Sequence, residues 1–341
     1  MNLLDYLCQK ESVSSVITSD RIRIGGTTDA WNMMLMACDF YQGNASVFVV
    51  LPNLYLAQNY YDELIAFMPE EDVLFFPSDE LVSAEMIAAT GDFLFERIQT
   101  LYTLLEGRKK MVVTNLHGAI KYELPLSCWQ NNIFKLKQND SVSIAELLKR
   151  LVRLGYEAVY TITKTGEFAH RGSIVDIFPL GQSDPIRLDF FGDEIDTIKT
   201  FNMETQRSKD SMSEITILPV TEFMYDEADF KSAKEKILRF TDQFSLSPIE
   251  EEMLAKDLFS LENHQNLTSL SRYLMFFSPK NNLLFDFVKE KRIYWVDPVK
   301  SKEAYDHLLL DLNEYCGRIG GYMLAHMNLF SAFEFALQQA N

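Results

Sequence analysis

RGSIVDIFPLGQSDPIRLDFFGDEIDTIKTFNMETQRS, from Arg171 to Ser208, is the stretch whose reading decides the fold. Read with a period of two, PIRLDFF turns Ile186, Leu188 and Phe190 toward a core and Arg187, Asp189 and Phe191 the other way. Gly192-Asp193 supplies turn chemistry before the alternating EIDTIKTF, so the two runs form a β-hairpin with Phe191 at its turn. Arg171-Gly172 reads as the opening of a further strand, SIVDIF, which Pro179 and Gly181 terminate. Arg171 and Arg187 can then share a surface with Phe191, unless a bulge in SIVDIF turns one of them over. Arginines beside a rigid ring are a common makeup of protein-binding faces, because a planar fork and a ring lose little entropy on fixing. The bland alternative is an exposed ring at a turn and two surface arginines that do nothing measurable.

Working outward, SVFVVLP (Ser46 to Pro52), VLFFP (Val73 to Pro77) and MVVTN (Met111 to Asn115) are short buried-type strands separated by helical stretches. That is the pattern of a parallel sheet wrapped by helices. From IFKLK (Ile133 to Lys137) the style changes to one helix, SIAELLKRLVRLG, with Leu147, Leu148, Leu151 and Leu154 as its core stripe. Closely spaced alternating strands follow, up to EITILP (Glu214 to Pro219), which together predict a small α+β domain with an antiparallel sheet. Beyond Pro219 the chain is acidic and mostly helical. NNLLFDFV and RIYWVDP (Arg292 to Pro298) read as strands able to complete the first sheet, and the closing GGYMLAHMNLFSAFEFALQQAN reads as an apolar helix or strand pair. The expected fold class is α/β: a degenerate P-loop-type parallel-sheet domain in residues 1–124 and 213–341, interrupted by an inserted α+β domain in residues 125–212.

At 341 residues the chain has room for two or three domains. It has no apolar run of about twenty residues and no basic leader, which predicts no membrane association and a cytoplasmic location. The four cysteines, Cys8, Cys38, Cys128 and Cys316, show no CxxC spacing, so neither a zinc cluster nor a disulfide framework is expected. A formal charge of −17 opposes sequence-independent nucleic-acid binding, which rests on lysine and arginine displacing phosphate counterions. The local basic run of Lys149, Arg150 and Arg153 fits the solvated face of an amphipathic helix. His117 and His170 lack a second histidine at ligand spacing and read as surface or satisfied residues. Asp193 and Glu194 point to opposite faces of a strand and make a poor acid–base pair.

The RG, the apolar DIFP strand, RLDFF, DEI and the closing TQRS stand here in the order that resembles the second domain of bacterial transcription-repair coupling factors. Upstream, FPSDELVSAEM (Phe76 to Met86), ERIQTLYTLL (Glu96 to Leu105) and VVTNLHGAIKYELP (Val112 to Pro125) resemble the first domain of that family. The resemblance implies an N-terminal module that shares its fold with excinuclease B, and a chain that is a fragment. It implies a non-catalytic adaptor that recruits excinuclease A to stalled RNA polymerase through residues matching Arg171, Arg187 and Phe191. The C-terminal domain of the same protein would cover that face at rest and restrain the motor. Contacts to RNA polymerase and DNA, and any ATP and magnesium, would belong to other domains, leaving this chain with no cofactor and no enzymatic activity.

The rival is an ATP-dependent damage-recognition helicase resembling excinuclease B. It needs a Walker A loop, G-x-x-x-x-G-K-[ST], whose amides cradle phosphate and whose lysine reaches the outer phosphates. This chain offers IGGTTDAWNMM: Gly25, Gly26, Thr27 and Thr28 form the loop, but Ala30, Trp31 and Asn32 replace the final glycine, lysine and hydroxyl. Asp29 adds negative charge beside any phosphate, so the loop is expected to be inactive and to serve as a turn into a helix. Asp79 and Glu80 in SDEL read as a solvated loop rather than a magnesium site.

Overall fold

A computed structural model describes residues 8–19, 23–78, 93–265, 267–278, 282–319, 327 and 329–339. Asp79, Glu80 and Gly91-Asp92 lie outside the described residues, as does much of the closing apolar segment. The first elements among the described residues are α1 (Glu11–Ile17), α2 (Asp29–Gln42), β1 (Ser46–Leu51), α3 (Leu54–Ile65), β2 (Val73–Phe76), α4 (Leu94–Leu105), β3 (Met111–Asn115) and α5 (Leu116–Ile120). Next come α6 (Leu126–Asn132), β4 (Phe134–Lys137), α7 (Ile144–Arg153), β5 (Glu157–Ala158), β6 (Glu167–Arg171), β7 (Ile174–Ile177), β8 (Ile186–Phe191), β9 (Glu194–Phe201), β10 (Ser208–Met212) and β11 (Glu214–Ile217). Helices α8 (Glu227–Thr241), α9 (Pro248–Glu262) and α10 (Leu274–Phe277), strand β12 (Lys291–Trp295), and helices α11 (Pro298–Ile319) and α12 (Phe333–Gln338) follow among the described residues. Two compact units result: Met1–Met86 with Thr100–Glu123 and Asn281–Asn341, and Ile87–Gln99 with Leu124–Lys280. Compactness thus groups residues 213–280 with the strands before them.

The first unit is built on a parallel sheet of order β12-β1-β3-β2. Every residue of β1 is buried, which is why VFVVL is an unbroken apolar run rather than an alternating one. KRIYW joins it as β12, parallel to β1, and is fixed to α2 through Asp39, which accepts a hydrogen bond from Tyr294 Oη (2.7 Å) and forms an ion pair with Arg292 Nε (2.8 Å). The TNLHG motif has a local cause as well. Asn115 caps α5 and closes a two-way bond with Ser78, its Oδ1 accepting from the Ser78 amide (3.1 Å) and its Nδ2 donating to the Ser78 carbonyl (2.8 Å). Only glycine fits at 118, because a Cβ there would lie 2.3 Å from Thr114 Oγ1 and 3.0 Å from the Phe76 carbonyl oxygen.

The second unit holds a six-stranded sheet of order β10-β9-β8-β7-β6-β5, antiparallel except for the β5–β6 pair. Ile186, Leu188 and Phe190 are buried as the alternation requires, and Leu147, Leu151 and Leu154 of the α7 stripe are buried with little or no exposure. Arg97 from the ERIQ segment is 4% exposed and makes a two-pronged pair with Glu222, at 2.8 and 3.0 Å.

Several expectations are corrected. Arg171 does not open the SIVDIF strand: it ends β6, and Gly172, with φ +64°, makes the turn into β7. Within NNLLFDFV the residues Leu284–Phe287 form a short 3-10 turn rather than a strand, with Leu283, Leu284, Phe285 and Phe287 buried. EITI pairs with β4 in a separate two-stranded sheet. Cys8 and Cys38 are disulfide-bonded across 30 positions, a pairing that spacing alone does not announce.

His117 is also not a satisfied histidine. It is buried beside Phe330, and neither ring nitrogen has a hydrogen-bond partner among the described residues. Burial pushes its pKa down from 6.5 to about 4. The unfolded chain therefore takes up a proton that the folded chain refuses, so stability is complete above about pH 6.5 and falls as pH drops toward 4. The loss amounts to roughly 3 kcal/mol. Urea titrations at several pH values should show this slope in the wild type and a flatter one in His117→Gln; identical slopes would remove His117 as its source.

Candidate protein-binding face

The register of the larger sheet decides which side chains meet. Arg171 stands opposite Ile174 and Ile174 opposite Asp189, while Asp176 stands opposite Arg187. Residues directly opposite share a face, and 187, 189 and 191 alternate without interruption along β8. Arg171, Arg187 and Phe191 therefore lie on one face. The irregularity in this region falls between Asp189 and Phe190 in the β8–β9 pairing, not in SIVDIF, so it does not turn either arginine over.

The three residues are held very differently. Phe191 closes the β8–β9 hairpin opposite Glu194, next to Gly192 with φ +64°, and is 84% exposed. Arg187 is half-buried: its Nε and Nη2 donate to the two oxygens of Asp176 at 2.7 and 2.8 Å, and Nη1 donates to the Gln206 carbonyl at 3.1 Å. A longer contact runs from Nη2 to Gln206 Oε1, and the guanidinium lies 4.5 Å from the centre of the Phe201 ring. That leaves one N–H on Nη1 for anything outside the chain. The hydrogen bond to Asp176, foremost, raises the Arg187 pKa further above its ordinary value.

The motif pieces thus converge on one side chain. DIFP supplies Asp176, RLDFF supplies Arg187, and TQRS supplies the turn at Gln206, whose φ of +58° aims its carbonyl at the guanidinium. Asn202 Oδ1 holds that turn by accepting from the Thr205 amide at 2.8 Å. Beside it lies a small apolar cluster of Ile162, Ala169, Phe178 and Phe201, with Val159 and Met203 against it.

Arg171 is exposed and clamped at the other end. Its Nη2 donates to the Tyr160 carbonyl and to Thr161 Oγ1 (3.2 Å), and its guanidinium sits 4.6 Å from the centre of the Tyr160 ring. Tyr160 is a residue of this face that sequence reasoning does not find, because the loop AVYTITK carries no alternation or motif to single it out. The Asp176 partnership escapes it too, since it needs the β7–β8 register.

The glycine loop of the first unit is arranged as a helix entry. Gly25, Gly26, Thr27 and Thr28 are exposed, and Thr28 Oγ1 caps α2 by accepting from the Trp31 amide at 3.3 Å. Trp31 packs against the cluster of Val13, Leu35 and Cys38. Asp29, in the first turn, accepts from Tyr60 Oη at 2.6 Å. Among the described residues no group of three or more His, Cys, Asp or Glu is placed to hold a metal ion, and no helix is long and apolar enough to cross a membrane.

Residues 134–223, which carry the whole face, match the family model of the UvrB interaction domain. Over 241 residues the chain is 30% identical to a transcription-repair-coupling factor of Staphylococcus aureus strain Mu50, covering 70% of this chain and 20% of that protein. The factor of S. aureus strain MRSA252 is 27% identical over 333 residues, covering 94% of this chain and 28% of that protein, and that of Bacillus subtilis strain 168 is 28% identical over 263 residues, covering 75% and 22%. The chain therefore spans less than a third of the length of the relatives it matches. These matches agree with the resemblance carried by the motifs.

Removing the Arg187 side chain strands Asp176, which is 5% exposed, without its counter-charge. Arg187→Ala should cost about 3 kcal/mol in urea unfolding, and the joint change Arg187→Met with Asp176→Leu should recover most of it. An Arg187→Ala chain as stable as the wild type would reduce the pair to an ordinary surface contact.

Proposed function

We propose that this chain, which resembles the N-terminal module of transcription-repair-coupling factors and carries a UvrB interaction domain, is a non-catalytic adaptor in transcription-coupled nucleotide excision repair. Its partner is excinuclease A, recruited to stalled RNA polymerase. The observation that carries this reading is Phe191: an apolar ring 84% exposed at a hairpin tip, on the same face as Arg171 and Arg187. Apolar surface of that size gains most from being covered, and rigid rings beside arginines supply much of the energy at protein interfaces. Phe191 acts as the anchor, and Arg171 makes charge-assisted hydrogen bonds to an acidic or carbonyl group. Arg187 adds its remaining N–H and fixes the strand that presents Phe191.

In module terms, residues 1–124 and 213–341 form the split helicase-like domain and residues 125–212 the insert that carries the face. The C-terminal domain of the full-length protein covers the same face in the resting state, so recruitment waits on its release. RNA polymerase and DNA are engaged by other domains, and the protein works in the cytoplasm. The Gly25-Gly26-Thr27-Thr28 loop binds no nucleotide, because Asp29 places negative charge at the helix entry and Trp31 stands where a lysine would reach phosphate.

Calorimetric titration with excinuclease A tests this. The wild type should bind saturably, and Phe191→Ala should bind at least about thirtyfold more weakly. Equal binding by the two chains would refute the face. Saturable binding of ATP at micromolar concentration would instead favour the helicase reading.

A further inference from the structure

Tyr160 is 85% exposed, the highest value among the described large hydrophobic residues, and it stands in the loop that follows β5, the edge strand of the sheet that carries Phe191. Its exposure is not that of a loose loop. On one side Val159 donates its amide to the Phe168 carbonyl (2.9 Å) and packs against the Ile162 cluster; on the other, Ile162 is 3% exposed. Pinned on both sides, the loop projects the Tyr160 ring outward.

The ring and backbone of Tyr160 also fix Arg171. The Tyr160 carbonyl and Thr161 Oγ1 both accept from Nη2, and the guanidinium lies over the ring. Nε and Nη1 donate to nothing among the described residues, so the clamp presents them outward. A guanidinium already held in one orientation loses less entropy when a carboxylate docks on it, and the exposed Tyr160 ring beside it offers apolar surface to whatever flanks that carboxylate. Two strand spacings and two residues separate Arg171 from Phe191, or about 12 Å between backbones. That distance fits one face with an aromatic contact at each end and a fixed cation at one of them.

Resting on the adaptor reading above, we infer that Tyr160 is a second aromatic contact of this face and the positioning residue for Arg171. The partner surface it fits carries a carboxylate beside an apolar side chain, placed about 12 Å from the pocket that takes Phe191.

The test uses the whole chain with excinuclease A, comparing Tyr160→Ala, Tyr160→Phe, Arg171→Gln and Phe191→Ala. Tyr160→Phe keeps the ring and should bind as the wild type does, while Tyr160→Ala keeps the main-chain carbonyl and removes the ring alone. Tyr160→Ala should bind at least about tenfold more weakly with an unchanged melting temperature. The Tyr160→Ala, Arg171→Gln double variant should lose less than the two single losses combined, since one acts through the other. In the free chain, the Arg171 side-chain NMR signals should carry a ring-current shift that Tyr160→Ala abolishes. Wild-type binding by Tyr160→Ala alongside weakened Phe191→Ala would overturn this inference and leave the adaptor reading intact. Unaltered binding by Phe191→Ala, or no binding by the wild type, would remove the adaptor reading and this inference with it.

Discussion

The guanidinium of Arg187 is the point on which the inserted sheet is organised. It joins β7 through Asp176, β8 through its own backbone, the end of β9 through the Phe201 ring, and the following turn through the Gln206 carbonyl. A nearly buried carboxylate is tolerable only when its charge is met and its lone pairs are occupied. Arg187 does both with a planar fork, which a lysine cannot reproduce. Once this pair forms, the register of β7 against β8 is fixed, and with it the side to which every odd-numbered residue of β8 points.

That single register separates two kinds of surface on one face. Around Arg187 the face is closed, all but one of its N–H donors used within the chain and the Ile162 cluster packed alongside. Toward the two turns at Gly172 and Gly192 it opens, and the exposed rings and the outward edge of Arg171 gather there. The closed part supplies rigidity and the open part supplies contact. A binding surface gains from this division, because its contact residues are ordered before anything docks on them.

The open part is more legible in the sequence than the closed part. PIRLDFF alternates cleanly because one side of β8 faces a core, and VFVVL is continuous because β1 is covered on both sides. The Arg187–Asp176 pair is hidden, since an outward position on an alternating strand says nothing of what stands across from it. Tyr160 is hidden for a different reason: its loop has no period, and its place is set by Val159 and Ile162 reaching the core on either side of it. NNLLFDFV misleads because a short apolar run fits a buried strand and a buried 3-10 turn equally well. In the first unit, the substitutions at Ala30, Trp31 and Asn32 are plain in the sequence, but the packing of Trp31 against Val13 and Cys38 is not.

The parallel pairing of β1 with β12 bears on how the protein is made. Leu51 ends β1, and Lys291, where β12 starts, emerges about 240 residues later, a delay of roughly 12–50 s at ordinary translation speed. Throughout that interval one side of β1, whose every residue is buried in the finished fold, has no neighbouring strand, and before it ends every residue of the β5–β10 sheet has left the ribosome. The nascent chain thus carries a finished insert on an unfinished host, and its most vulnerable edge during synthesis is β1, whose cover is encoded on the far side of that insert.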